Sequence, residues 1–109
     1  MKGPGIGVDL VEVSRVKAIH RRHDKKFFDR VLTRAEQSYC LSKSDPYPSV
    51  AARVAAKEAV AKAMGTGIGT SLKWVSISVD VLPSGAPQIV LDAAAKRLMK
   101  KLRAKKVLI

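Results

Sequence analysis

The chain is poor in aromatic residues, nearly without cysteine and short of negative charge. Only 5% of its 109 residues are Phe, Trp or Tyr while 47% are hydrophobic, so a core must be built from Val, Ala, Leu and Ile. The single cysteine, Cys40, excludes an intramolecular disulfide and the cysteine-rich zinc classes. No run approaches the ~18 apolar residues of a membrane span. The first residues, broken by Gly3, Pro4, Gly5, Gly7, Asp9 and Glu12, lack the apolar region of a signal peptide. These absences predict a soluble protein of a reducing compartment, most simply the cytoplasm. Lys+Arg number 21 against 9 Asp+Glu, a net charge of +12. That excess favours an anionic partner, but nucleic acid, a membrane, a phosphorylated cofactor and an acidic protein all satisfy it. With 28% charged residues and this apolar share, the chain is expected to be one domain, residues 1–109, with a real core.

There is no internal repeat and no low-complexity linker. Gly5 to Val13 alternates in part and is rich in β-branched residues, which predicts a strand turning into a helix near Glu12. Val13 to His23 reads as a short helix burying Val13, Val16 and Ile19 or His20, with Arg15, Lys17, Arg21 and Arg22 on its other side. Phe27, Phe28, Val31 and Leu32 form an apolar knot. Thr33 stands three residues before Glu36, the spacing of a capping box, and a helix from Arg34 to about Leu41 follows. Asp45 to Pro48 predicts a loop. From Ser49, the run Val50 to Met64 contains seven alanines and no Gly or Pro, the strongest helix signal in the chain, and Gly65 is its natural C-cap. Gly65 to Ser71 reads as a flexible loop. Lys73 to Leu82 alternates as a strand, with Val75, Ile77, Val79 and Val81 on one face. Pro83-Ser84-Gly85 turns it toward a partner over Pro87 to Leu91. Asp92 caps a basic helix from Ala93 to about Lys105, and Val107-Leu108-Ile109 predicts the start of a further strand.

Several residues could carry chemistry. Asp9 lies between Val8 and Leu10; it is either a turn or edge carboxylate or a metal ligand, since buried carboxylates are uncommon unless paired or metal-bound. Arg53, Lys57, Glu58 and Lys62 share the alanine-rich helix. They are either a solvated face with an ion pair at the i,i+4 spacing of Glu58 and Lys62, or a charged site on a mostly buried helix. Gly65-Thr66-Gly67 could offer backbone N–H groups to a phosphate, or could simply be a cap and tight connection; it is neither a P-loop nor a dinucleotide fingerprint. His20 and His23 have no carboxylate partners at ligand spacing. Cys40 reads as a small core residue and Trp74 as a packing residue. The basic helix from Lys96 to Lys106 carries seven of the 21 cations, over Leu98, Met99 and Leu102.

Two segments together resemble a known family. Gly5-Ile6-Gly7-Val8-Asp9-Leu10-Val11-Glu12 followed by Arg15 resembles the first motif of the holo-acyl-carrier-protein synthases, small 4′-phosphopantetheinyl transferases. Arg53-Val54-Ala55-Ala56-Lys57-Glu58-Ala59-Val60-Ala61-Lys62-Ala63-Met64-Gly65-Thr66-Gly67-Ile68 resembles the second, with Val54 where an aromatic is often found. Arg30 to Glu36 and Gly85-Ala86-Pro87 follow the family's order, and the resemblance covers nearly the whole chain.

The resemblance implies an α+β fold in which a small antiparallel sheet wraps a long helix, and a homotrimer with active sites at subunit interfaces. It implies transfer of 4′-phosphopantetheine from coenzyme A to a serine of apo-acyl carrier protein in fatty-acid biosynthesis, with release of 3′,5′-ADP. Asp9 and Glu58 would bind Mg²⁺, a hard cation that prefers one or two carboxylates plus waters and phosphate oxygens. Lys62 would neutralise the pyrophosphate, and Glu58 or a metal-bound water would take the serine proton. Arg53, Lys62, Gly65, Thr66, Gly67 and Pro87 would contact the cofactor. Arg15, Arg21, Arg22 and Lys25, with Lys26, would meet the acidic carrier, a kind of pairing that speeds and orients encounter and weakens with salt. Family members continue into a Ser/Thr-His segment and a final strand, so this domain is expected to lack that strand. The rival expectation is a basic nucleic-acid-binding module, supported by the charge. The few aromatics and the lack of RRM, KH or zinc-finger signatures speak against it, and neither nucleic acid nor membrane is expected as a partner.

Overall fold

A computed structural model describes the backbone of residues 3–65, 67–69 and 72–108, and the side chains of 13–65, 67–69 and 72–103. The chain divides into two compact units, Met1–Ala55 and Ala56–Ile109.

The first unit is helical. Helix α1 runs from Gly3 to His23, followed by α2 (Lys25–Val31) and α3 (Arg34–Leu41). The strand expected over Gly5 to Val13 is therefore helix. A strand needs an edge to pair with, and the sheet among the described residues is a two-stranded hairpin elsewhere in the chain. Pro4 stands in the first turn of α1, where its missing N–H breaks no intrahelical bond. Downstream the expected face is there: Val16 is buried, Val13, Ile19 and His20 are half-buried, and Arg15, Lys17, Arg21 and Arg22 are exposed. His20, Arg21, Arg22 and His23 occupy the last turn, where the basic side chains suit the helix dipole. Asp24, with φ of 53°, breaks the run, and its N–H bonds the His20 carbonyl at 2.7 Å. The knot then forms as expected, with Phe28, Val31 and Leu32 buried. The His20 ring stacks on Phe28 at 4.2 Å, and its Nδ1 lies 2.7 Å from the Tyr47 hydroxyl in a hydrogen bond.

The capping box is complete. Glu36 N–H donates to Thr33 Oγ1 at 3.2 Å, and Thr33 N–H donates to Glu36 Oε1 at 2.8 Å. Cys40 is buried and, as the single cysteine, makes no intramolecular disulfide. Helix α4 spans Tyr47–Ala63, two residues earlier than Ser49. The expected loop over Asp45 to Pro48 is shortened because Asp45 Oδ1 accepts the Tyr47 N–H at 3.2 Å and Pro48 fits a first helical turn.

The second unit holds the end of α4, a turn of 3-10 helix (Trp74–Ser76), strands β1 (Ile77–Val81) and β2 (Pro87–Leu91), and helix α5 (Ala93–Leu108). The strands are antiparallel, with Ile77 opposite Leu91 and Val81 opposite Pro87. Gly85, with φ of +91°, takes the left-handed position of their connection. The strand expected from Lys73 starts late, because Ser76 N–H bonds the Lys73 carbonyl and Ile77 N–H bonds that of Trp74. That turn puts Val75 out of phase. Ile77 and Val79 are buried, while Val75 and Val81 are exposed. Asp92 caps α5 as expected, its Oδ1 accepting the Ala95 N–H at 2.8 Å. The final strand is not formed: Val107 and Leu108 continue α5, a helix of good formers, and Ile109 lies outside the described residues. Ala61, Leu72, Ile77 and Ala95 make the core, with Val60, Met64, Ile68, Leu91 and Leu98 packed against it. Complete burial of Leu72 and Ile77 contributes roughly 2–3 kcal/mol each. The architecture of the described residues is thus helices with one small antiparallel sheet, the α+β class expected.

Candidate functional site

Glu58, Ala61, Lys62 and Gly65 are spaced i, i+3, i+4, i+7, which places them on one face of a helix and its cap. Helix α4 is continuous there, so the spacing becomes a surface. Gly65 ends the helix with φ of +76° and its N–H on the Lys62 carbonyl at 2.9 Å. Gly67, with φ of +69°, sends its N–H back to the Ala61 carbonyl at 3.4 Å. A Cβ at either glycine would meet nothing within 4 Å. The glycines are therefore required by backbone conformation, at about 1 kcal/mol each for another residue. The tight reversal brings Ile68 to the same face.

These residues, with Trp74 from the 3-10 turn, line an open cavity of about 560 Å³. That is within the size range of small-molecule sites. One side of its chemistry is apolar, from Ala61, Ile68 and Trp74. The other is a carboxylate and an ammonium, Glu58 and Lys62, both exposed. Among the described residues no ion pair joins them. Glu58 is thus a hard oxygen donor suited to a cation such as Mg²⁺, and Lys62 a mobile positive charge suited to phosphate oxygens. Among the described residues no group of three or more His, Cys, Asp or Glu could hold a metal. A cation here would need its remaining oxygens from water or from a phosphorylated ligand.

The other charged residues of α4 are not a solvated face. Lys57 is wholly buried, and its Nζ donates to the Trp74 carbonyl at 3.2 Å. Arg53 is 6% exposed. Its guanidinium lies 4.7 Å over the Tyr39 ring, and Nη1 donates to the Ser49 carbonyl at 3.1 Å. Its Nε is buried with no hydrogen-bond partner among the described residues, which leaves a strong donor unsatisfied there.

The remaining expected residues fall as follows. Glu58, Lys62, Gly65 and Gly67 come together on the cavity. Pro87, exposed at the start of β2, is not among its lining residues. Thr66 and the side chain of Asp9 lie outside the described residues. Arg15, Arg21, Arg22 and Lys25 are all exposed, and Arg15 and Arg22, seven apart on α1, share a face. Trp74 is a cavity residue that no sequence motif marks, whereas Ile68 is the last residue of the second motif.

Comparison with known proteins supplies the context for this cavity. The profile of the 4′-phosphopantetheinyl transferase superfamily matches residues 5–106. The holo-[acyl-carrier-protein] synthase of Chlamydia caviae is 43% identical over 109 residues, covering 100% of this chain and 86% of that protein. That of Chlorobaculum parvum is 50% identical over 88 residues, 81% of this chain and 75% of that protein. With the Chlamydia muridarum synthase the identity is 52% over 75 residues, 69% of this chain and 60% of that protein. Among solved structures, the Helicobacter pylori synthase in complex with coenzyme A aligns with a TM-score of 0.70 and 32% identity, covering 84% of this chain and 74% of that one. The Neisseria meningitidis synthase aligns with a TM-score of 0.74 and 28% identity, covering 82% and 71%.

Proposed function

Since the chain belongs to the 4′-phosphopantetheinyl transferase superfamily, we propose that it is a holo-acyl-carrier-protein synthase. It transfers the 4′-phosphopantetheine group of coenzyme A to a serine of an apo-acyl carrier protein, in service of fatty-acid biosynthesis. The observation that carries this reading is the α4 cavity, where Glu58 and Lys62 stand together beside the Gly65–Gly67 reversal in a chain so similar to named synthases.

The serine oxygen forms a bond to the β-phosphorus of coenzyme A, the bond from that phosphorus to the bridging oxygen breaks, and 3′,5′-ADP leaves. Such transfers depend on positioning and on neutralising the charge of the phosphates. Lys62, on a mobile stem at the cavity, meets the pyrophosphate. The serine proton needs an acceptor, and Glu58 is the carboxylate among the described cavity residues. Glu58 also fits Mg²⁺, being an exposed carboxylate with no ion pair among the described residues, and Asp9 of the first motif is the second ligand on this reading. Bound there, Mg²⁺ would neutralise the pyrophosphate. Ala61, Ile68 and Trp74 exclude water from one side of the cavity. Arg53, Thr66 and Pro87 are read as further cofactor contacts; the unsatisfied Arg53 Nε supports the first. The exposed cations Arg15, Arg21, Arg22 and Lys25 receive the acidic carrier.

Residues 1–109 act as one transferase domain on this reading, supported by a profile match running through both units. A homotrimer is supported by apolar side chains left exposed on a single chain, Val75, Val81, Leu82, Ile89 and Val90, 36–46% each. No helix among the described residues is long and apolar enough to cross a membrane. A cytoplasmic setting suits a chain with a single cysteine, the buried Cys40.

The test is mass spectrometry of apo-acyl carrier protein incubated with the chain, coenzyme A and Mg²⁺. A phosphopantetheine-sized gain on the carrier serine is expected. An unchanged carrier, with the chain folded and the same carrier chargeable by another synthase, would overturn the reading.

A further inference from the structure

Lysine is almost never fully buried unless it is paired, because withdrawing an ammonium from water is costly. Lys57 has no exposed surface at all. It immediately precedes Glu58 on α4, yet it is not among the residues lining the cavity. Its Nζ instead donates to the Trp74 carbonyl at 3.2 Å. That carbonyl also accepts the Ile77 N–H that closes the 3-10 turn before β1. Trp74 is part of the cavity wall. Two separate pieces of the wall, the face of α4 and the Trp74 turn, are therefore joined by one buried cation.

We propose that Lys57 is a positioning residue: it ties the Trp74 turn to α4, and so fixes the width of the cavity in which the cofactor lies. It acts through Trp74 and touches no substrate. The assignment of the cavity to the cofactor rests on the transferase reading above, but the tie itself does not.

The chain has one tryptophan, so its fluorescence reports on this wall alone. Lys57→Met keeps an unbranched apolar stem and removes the donor. In the full chain, hydrogen exchange at the Ile77 amide should speed by about tenfold, since the turn loses its charged anchor. Acrylamide should quench Trp74 more strongly. The KM for coenzyme A should rise by about tenfold, with kcat and the KM for carrier nearly unchanged. Lys57→Arg, which keeps a charged donor, should restore parental quenching and exchange. Unchanged quenching and exchange in Lys57→Met would overturn the proposal. So would faster exchange spread evenly over β1, β2 and α5, which marks general loss of stability, and so would Lys57→Arg behaving like Lys57→Met. If both variants fail to fold, Lys57 belongs to the core and the proposal is wrong. If the parent charges no carrier, the transferase reading has failed, while quenching and exchange still decide whether Lys57 holds the turn.

Discussion

Replacing Glu58 by Gln separates chemistry from folding. The side chain is exposed on α4, and among the described residues it makes no ion pair. Glu and Gln have similar volume and helix propensity. What the fold loses is an unformed i,i+4 attraction to Lys62, worth at most about 0.5 kcal/mol even when formed. Stability should therefore stay within about 0.5 kcal/mol of the parent. The reaction loses far more. An amide neither accepts the serine proton nor supplies an anionic oxygen to Mg²⁺, and loss of a general base alone costs on the order of 10²–10⁴ in rate. At 1.36 kcal/mol per decade, that is about 3–5 kcal/mol of barrier. The assay is the mass of the carrier followed in time under single-turnover conditions, beside a thermal melt of each variant. Turnover within about threefold of the parent would show that Glu58 is neither base nor ligand. Loss of more than about 2 kcal/mol of stability would show that the carboxylate holds the fold, and its place in the mechanism would have to be given up.

Lys62→Ala should leave Mg²⁺ binding in the presence of coenzyme A intact by calorimetry while kcat falls by about 10²-fold, because on the proposed reading its charge acts on phosphate oxygens; loss of metal binding would contradict that role. Charge reversal at Arg21 and Arg22 should raise the KM for carrier and flatten its dependence on salt, with the KM for coenzyme A unchanged. An equal loss of coenzyme A affinity would assign α1 to the cofactor or to the fold. Thr33→Ala removes one arm of the capping box and should destabilise the protein by about 1 kcal/mol, read as a lowered Tm with kcat unchanged; a Tm equal to the parent's would mean that the cap contributes nothing net.

What sequence pattern resolved well was chemistry closed within a few residues. The Thr33–Glu36 box, the left-handed Gly65, the Asp92 cap and the Gly85 reversal each need only their own neighbours. Strand pattern behaved differently, because a strand exists only with a partner. Lys73 to Leu82 alternates throughout, yet pairing with β2 begins at Ile77, where the register with Leu91 starts. Before that point the backbone closes on itself as a turn, and Val75 leaves the face it was expected to share. Gly5 to Val13 and Val107-Leu108 carry β-branched or apolar residues with no paired edge, and both are helical. The apolar composition was legible; which geometry would use it was not.

The cavity divides along the same line. Its α4 side was legible, since Glu58, Lys62 and Gly65 follow from helical spacing. Ile68, the last residue of the second motif, reaches it through the reversal at Gly65 and Gly67, and Trp74 reaches it from the turn before β1, a segment without a motif. Lys57 shows what spacing can still reveal when a residue breaks it. Val50, Val54, Lys57 and Ala61 recur at i, i+4, i+7, i+11, the stripe of α4 that faces away from water, and all four are buried. A cation therefore stands where the period calls for an apolar side chain. Burial of that ammonium is tolerable only with an acceptor, and the carbonyl of Trp74 is one. One helical turn thus divides its labour by side. Glu58 and Lys62 present charge to the cavity, and Lys57, about 100° around the helix from Glu58, holds the wall that faces them.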